Sequence, residues 1–221
     1  TDWPAFGYSM IGLARMSNIE ACVRVVLSDG IPGDFIETGV WRGGSAIFMR
    51  ALLQHFGITD RRVWVADSFE GLPKPSHAHD VADRKWDMSE NTYLAASLEQ
   101  VQANFARFGL LDDQVRFLKG WFRDTLPTAP IARLSILRLD GDMYESTLDA
   151  LEGLYGRVSP GGFVIVDDYS SWPACRLAVD EFRASHHVSA ELTPVAGGAV
   201  FWRVPLHEAL AAGTPKEGTN S

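Results

Sequence analysis

The chain is short of cationic residues, of cysteine and of long apolar runs. Its 20 lysines and arginines face 28 acidic residues, for a formal charge of −8. No basic cluster offsets that balance locally, which argues against a general nucleic-acid or anionic-membrane binder and points to a small-molecule partner. The 2 cysteines, Cys22 and Cys175, fall in helix-like patterns without metal-ligand spacing. A disulfide framework is thereby disfavoured, and two core thiols are expected. No apolar run approaches the roughly 20 residues that cross a bilayer. The start TDWPAFGYSM lacks a basic segment followed by an apolar one, so neither a membrane span nor a signal peptide is expected. The expectation is a soluble, cytoplasmic protein, with further residues preceding the abrupt start at Thr1.

What is present is enough apolar material, 46% of 221 residues, for one substantial core. We expect a single domain over 1–205 and a frayed polar tail over 206–221. MSNIEACVRVVLSDG carries apolar residues three and four apart and stops at Gly30, the pattern of a glycine-closed helix. DFIETGV then reads as a strand, WRGGS as a turn and AIFMRALLQHFG as a helix starting at Ser45 or Ala46. RVWVADSF is a second strand. From 71 to 93 the periodicity dissolves among prolines, His77, His79 and scattered charges, as in a lid-like insertion. TYLAASLEQVQANFARFG reads as helix and QVRFLKGW as a third strand. LSILRLDGD and GFVIVDDY are the fourth and fifth, with STLDALEGLYGRV helical between them. After the helix CRLAVDEFRASHH come SAELTPV and GAVFWRV, an antiparallel hairpin. The progression predicts an α/β fold on a seven-stranded, mostly parallel sheet.

In such a fold ligands bind beyond the carboxyl ends of the parallel strands. The first strand ends in IETGVWRGGS, where Gly39, Gly43 and Gly44 let backbone approach a ligand. The spacing is not the dinucleotide fingerprint G-x-G-x-x-G, and Glu37 there would repel a pyrophosphate while attracting a cationic amine. Asp67 closes the second strand, a position suited to both hydroxyls of an adenosine ribose or, alternatively, to a helix cap. An α-amine and a ribose without a phosphate describe S-adenosylmethionine. The fourth and fifth strands end in Asp140 and Asp142, and in Asp167 and Asp168. Four carboxyl groups at the ends of buried segments need partners. His77 and His79 have no second ligand cluster nearby, and His186 and His187 suit a helix C-terminus.

The E-T-G-V-W-R-G-G-S loop resembles the E-x-G-x-x-x-G-x-S loop of catechol-type, metal-dependent O-methyltransferases. GDFIETGVWRGGSAIFMRALL, VWVADSFEGLP, LLDDQVRFLKGWFRDTLP, LRLDGDMY and VSPGGFVIVDDY together resemble the macrocin O-methyltransferase family, over about Met10 to Arg203. The resemblance implies a Rossmann-like class I methyltransferase with S-adenosylmethionine and Mg2+ as cofactors. It further implies a glycosylated antibiotic as partner, with a deoxysugar hydroxyl as acceptor, and a homo-oligomer, a dimer being favoured. Our first choice of acceptor is the 4-hydroxyl of noviose in an aminocoumarin, ahead of the 3-hydroxyl of a macrolide sugar.

Carried residue by residue, the resemblance assigns Asp140, Asp167 and Asp168 to the metal, a hard oxygen set that suits Mg2+. It assigns Glu37, Thr38, Gly39, Gly43, Ser45, Asp67, Ser68, Gly120, Trp121, Phe122 and Asp140 to the methyl donor, although by pattern alone Trp121 could equally be core. In the catechol type one ligand is asparagine, where this chain has Asp168, and the base is a lysine, where this chain has Met143. Asp142, two residues from Asp140 and on its side if the strand continues, is the natural substitute as base or else tunes the metal from outside its ligand set. Two rival readings fit less well. A haloacid-dehalogenase-type Mg2+ phosphatase also uses D-x-D, but on the first strand of its core. A nicotinamide-dependent dehydrogenase needs the other glycine spacing.

Overall fold

The computed structural model describes residues 4–75 and 87–206. Helix α1 (Gly12–Ser28) leads into β1 (Asp34–Thr38), α2 (Gly44–His55) and β2 (Val63–Asp67). After a short 3-10 turn at Thr92–Leu94 follow α3 (Leu98–Arg107), β3 (Val115–Lys119) and the single turn α4 (Phe122–Thr125). Then come β4 (Leu134–Leu139), α5 (Tyr144–Leu154), β5 (Val158–Val166), α6 (Pro173–Ser185), β6 (Thr193–Pro194) and β7 (Val200–Arg203).

The seven strands lie in the order β3-β2-β1-β4-β5-β7-β6. The first five run parallel, and β7 is antiparallel to both β5 and β6. The antiparallel hairpin thus forms, but β6 keeps only two residues of the expected SAELTPV. Every residue of β4 is buried, as a central parallel strand covered by helices on both faces requires. One apolar layer, with Val23, Leu53, Phe105 and Ile136, lies under α1, α2 and α3. The other, with Leu137, Leu151, Phe182 and Trp202, lies under α5 and α6. Both cysteines are buried and free, and burial pushes the Cys22 thiol up to about 12. Among the described residues no helix is long and apolar enough to cross a membrane.

Two helix starts differ from the expectation. Ser97 accepts a hydrogen bond from the Gln100 amide (3.2 Å), so α3 begins at Leu98 and not near Thr92. This side-chain oxygen satisfies an otherwise unpaired amide of the first turn. Gly43, left-handed at φ 84°, starts α2 at Gly44. Of the insertion expected over 71–93, residues 76–86, with His77 and His79, lie outside the described residues, as does the tail beyond 206.

The strand order reverses between β1 and β4, which places the crevice for a ligand above their C-terminal ends. Register there is fixed by the pairing of Glu37 with Arg138 and of Thr38 with Leu139. The Asp140 amide continues it by donating to the Thr38 carbonyl (2.9 Å), and the Asp167 amide by donating to that of Leu139 (2.9 Å). The ends of β1, β4 and β5 therefore present their acids at one level.

Candidate active site

Beyond the strand ends lies a cavity of about 600 Å³, within the usual range for small-molecule sites. Its walls include Gly39, Asp67, Ser68, Gly120, Trp121, Phe122 and Asp140 of the residues assigned to the methyl donor, together with Asp142, Asp167 and Asp168. Glu37, Thr38, Gly43 and Ser45 sit buried behind that wall. The turn after β1 passes directly beneath β4. Gly39 has φ 85°, and a Cβ there would stand 2.0 Å from the Asp140 carbonyl oxygen, so only glycine fits.

Asp67 takes amide donors on both oxygens, Val40 (2.7 Å) on one and Phe69 (2.8 Å) on the other. Burial raises its pKa, and those donors work against the rise. The Ser68 hydroxyl (3.3 Å) and the Trp41 amide also bond it, so a ribose hydroxyl would have to share or displace one of these donors.

The acids of β1, β4 and β5 meet on one guanidinium that the sequence reading did not single out. Arg138, with no exposed surface, donates from Nη1 to Glu37 (2.5 Å) and Asp140 (2.6 Å), and from Nη2 to Asp167. The far oxygen of Asp167 is held by Arg15 of α1, whose other amino group bonds the Gly197 carbonyl in the turn between β6 and β7. Ser45 donates to the Glu37 oxygen that Arg138 also holds, and Glu37 Oε2 has no hydrogen-bond partner among the described residues. Burial works against the charge of Arg138, but Asp140, Asp167 and Glu37 outweigh it and keep the guanidinium ionised. An arginine inside the mostly apolar run LSILRL was the available signal, since a charge in a doubly covered strand must have partners.

Asp140, Asp167 and Asp168 each bring a carboxyl oxygen within 4.8 Å of the others. Asp142 joins them by a route other than strand alternation. The strand ends at Leu139, and Asp142 stands in a left-handed turn at φ 58° that puts it in the cavity wall. Asp168 makes hydrogen-bond contacts with Asp142 and Asp140.

Two guanidiniums thus face five carboxyl groups, and the buried acids resist ionisation. Burial pushes Asp142 up to about 8, with repulsion from Asp140 and Asp167 adding to it. Glu37 rises to about 7 by burial, against the pull of Arg138. Asp167 rises to about 6 by burial and Asp140, against Arg138 and Arg15, and Asp168 is held well above the carboxylate range by burial and its acidic neighbours.

An N-terminal strap closes one side, as the family resemblance implies for the stretch YSMIGLARM. Arg42 donates to the carbonyls of Ala5 (3.2 Å) and Gly7 (3.0 Å), Tyr93 donates to that of Pro4 (2.7 Å), and the Gly44 amide donates to that of Tyr8 (2.9 Å). The guanidinium of Arg42 also lies 4.2 Å from the centre of the Trp41 ring. The strap brings Met10 and Arg15 to the cavity. By contrast His186 closes α6 away from the cavity, its Nδ1 3.1 Å from the Phe182 carbonyl, its ring stacked on Phe182 and its Nε2 3.4 Å from a Glu152 oxygen.

The strand order with its antiparallel end, and an acid-lined crevice over the reversal point, define a class I, S-adenosylmethionine-dependent methyltransferase. The macrocin-O-methyltransferase (TylF) family model matches residues 1–204, and the chain belongs to that family. It is 57% identical over 212 residues, 96% of this chain and 80% of the relative, to the 8-demethyl-8-(2,3-dimethoxy-alpha-L-rhamnosyl)-tetracenomycin-C 4'-O-methyltransferase of Streptomyces olivaceus. It is 52% identical to the demethyldecarbamoylnovobiocin O-methyltransferase of Streptomyces niveus, covering 91% of this chain and 78% of the relative. The solved structure of the O-methyltransferase NovP superposes with a TM-score of 0.90 at 51% identity, over 92% of this chain and 85% of that one. The chain is therefore an O-methyltransferase, and the phosphatase and dehydrogenase readings fall away.

Proposed function

We propose that this enzyme methylates a deoxysugar hydroxyl of a glycosylated natural product, with Mg2+ bound by Asp140, Asp167 and Asp168. The observation that carries this reading is the acidic cluster itself. Its three carboxyl groups converge, Asp168 Oδ2 is buried without a hydrogen-bond partner among the described residues, and carboxyl groups there outnumber the local cations. A hard divalent cation fits that donor set and would offset the surplus charge. When bound, it supplies Lewis-acid chemistry, lowering the pKa of an alcohol from near that of water, ~15.7.

S-adenosylmethionine supplies a methyl carbon on a cationic sulfur. The chain's residues would hold the donor from end to end. Glu37 attracts its ammonium from beneath the Gly39 turn through the unpartnered Oε2, Asp67 accepts the ribose hydroxyls, and Trp121 and Phe122 flank the adenine. On the acceptor side, Asp142 takes the hydroxyl proton as the oxygen–carbon bond forms and the carbon–sulfur bond breaks, a direct displacement without a covalent enzyme intermediate. The described parts of the insertion, 71–75 and 87–93, would cover a bulky glycoside, an assignment supported by Leu72, Pro73, Lys74 and Met88 in the cavity wall.

The 4-hydroxyl is the position we favour, because one relative is named for 4'-O-methylation of a rhamnosyl sugar. Noviose on an aminocoumarin is the first acceptor to test, given the novobiocin-directed relative. The test incubates the purified enzyme with S-adenosylmethionine, Mg2+ and a panel of demethylated aminocoumarin, rhamnosyl-tetracenomycin and macrolide glycosides, reading methyl gain by mass spectrometry and position by NMR. Methylation at a sugar 4-hydroxyl supports the proposal. Methylation confined to an aglycone oxygen overturns it, and methylation confined to a macrolide sugar overturns the choice of acceptor alone.

A further inference from the structure

We propose that Arg138 is a positioning residue that couples the two ends of this site energetically, so that the cation and the methyl donor each tighten the binding of the other. The inference rests on the proposed roles of Glu37, Asp140 and Asp167. Its own support is geometric. A single nitrogen, Nη1, serves both Glu37 on the donor side and Asp140 on the cation side, and Nη2 of the same planar group serves Asp167. All four side chains project from adjacent strand ends whose backbone register is fixed, Glu37 being directly paired with Arg138.

The three carboxylates compete for one guanidinium that has no access to water. A cation on Asp140 and Asp167 takes over part of their charge, leaving Nη1 free to settle on Glu37 Oε1. Glu37 is then fixed, with its unpartnered Oε2 buried behind the cavity wall, where its charge acts on the donor's ammonium from beneath the Gly39 turn. By thermodynamic linkage the effect is reciprocal: whatever factor Mg2+ contributes to donor affinity, the donor contributes to Mg2+ affinity. The shape of arginine matters here. Lysine brings one charge but not the planar fork that reaches three acids at once.

Calorimetry tests this without turnover, by titrating S-adenosylhomocysteine into chelator-treated enzyme and into Mg2+-saturated enzyme, for the wild type, Arg138→Met and Arg138→Lys. Thermal melts establish that each variant is folded. In the wild type, Mg2+ should tighten S-adenosylhomocysteine binding about fivefold, at the low end of measured couplings. In either folded variant the gain should fall below about twofold, while each ligand measured alone still binds. Equal affinities with and without Mg2+ in the wild type overturn the proposal whatever the variants do, as does a folded variant that keeps the full gain. Arg50→Met, which breaks the pair with Asp112 away from the cavity, should lower stability and leave the gain intact. Failure of the wild type to bind S-adenosylhomocysteine or Mg2+ at all would instead count against the functional reading on which the coupling rests.

Discussion

Asp142 and Asp140 stand two residues apart and are given different work, and the difference is local. Asp140 follows the strand and shares Nη1 of Arg138 with Glu37, whereas Asp142 is turned into the cavity by a left-handed backbone and feels only the charge of Arg15, with no arginine hydrogen-bonded to it among the described residues. The account predicts that Asp142→Asn keeps the affinity for S-adenosylhomocysteine and Mg2+ while kcat drops by about two orders of magnitude, the usual size of a general-base contribution. Near-normal kcat would reduce Asp142 to a tuner of the cation. The acids were legible in the sequence because charges at the ends of apolar runs are conspicuous. The position of Asp142 was legible but its route was not, since strand alternation was assumed where a left-handed turn operates. Arg138 and Arg15 escaped because an isolated arginine in a strand or helix pattern reads as surface until the neighbouring strands are known.

The elements carry the next set of constraints. The crossing of the β1 turn under β4 depends on Gly39. Gly39→Ala would place a methyl group against backbone, not against a side chain able to move, and at a positive φ. We predict a loss of about 2 kcal/mol or more in unfolding free energy from strain and overpacking together, measurable by urea denaturation. Gly57→Ala, also at positive φ but facing open space, should cost about 1 kcal/mol. The five parallel strands were readable from composition and spacing, because each is an apolar run bounded by turns. The short β6 and the split before α3 were not, since edge pairing and the Ser97 cap are decided by local hydrogen bonds. That the N-terminal portion helps close the site came from the family resemblance, but what holds it was not legible: the carbonyls of Pro4, Ala5, Gly7 and Tyr8 are gripped by Arg42, Tyr93 and the Gly44 amide, a long-range pairing that no periodicity announces.

For the whole molecule, the surplus of buried carboxyl groups makes stability depend on pH and on cation. Glu37, Asp142, Asp167 and Asp168 all have pKa values raised in the folded state. Between the ordinary carboxylate value, about 4, and about 8 for Asp142, the folded chain binds more protons than the unfolded one. These groups therefore lower stability as pH rises through that window. A divalent cation replaces the protons, so the rise in Tm caused by Mg2+ should be larger at pH 8 than at pH 6, as read by scanning fluorimetry with and without chelator. A constant increment would argue against cation binding by this cluster.

The most direct measurement of the central assignment is methyl transfer to a demethylated sugar acceptor before chelation, after complete removal of divalent metal, and after Mg2+ is returned. S-adenosylhomocysteine binding is followed in parallel. The account predicts that transfer falls by at least about two orders of magnitude on chelation and recovers with Mg2+, while the cofactor product still binds within about tenfold of its original affinity. Full-rate transfer by metal-free enzyme would contradict it, and would leave Asp140, Asp167 and Asp168 without the role assigned to them.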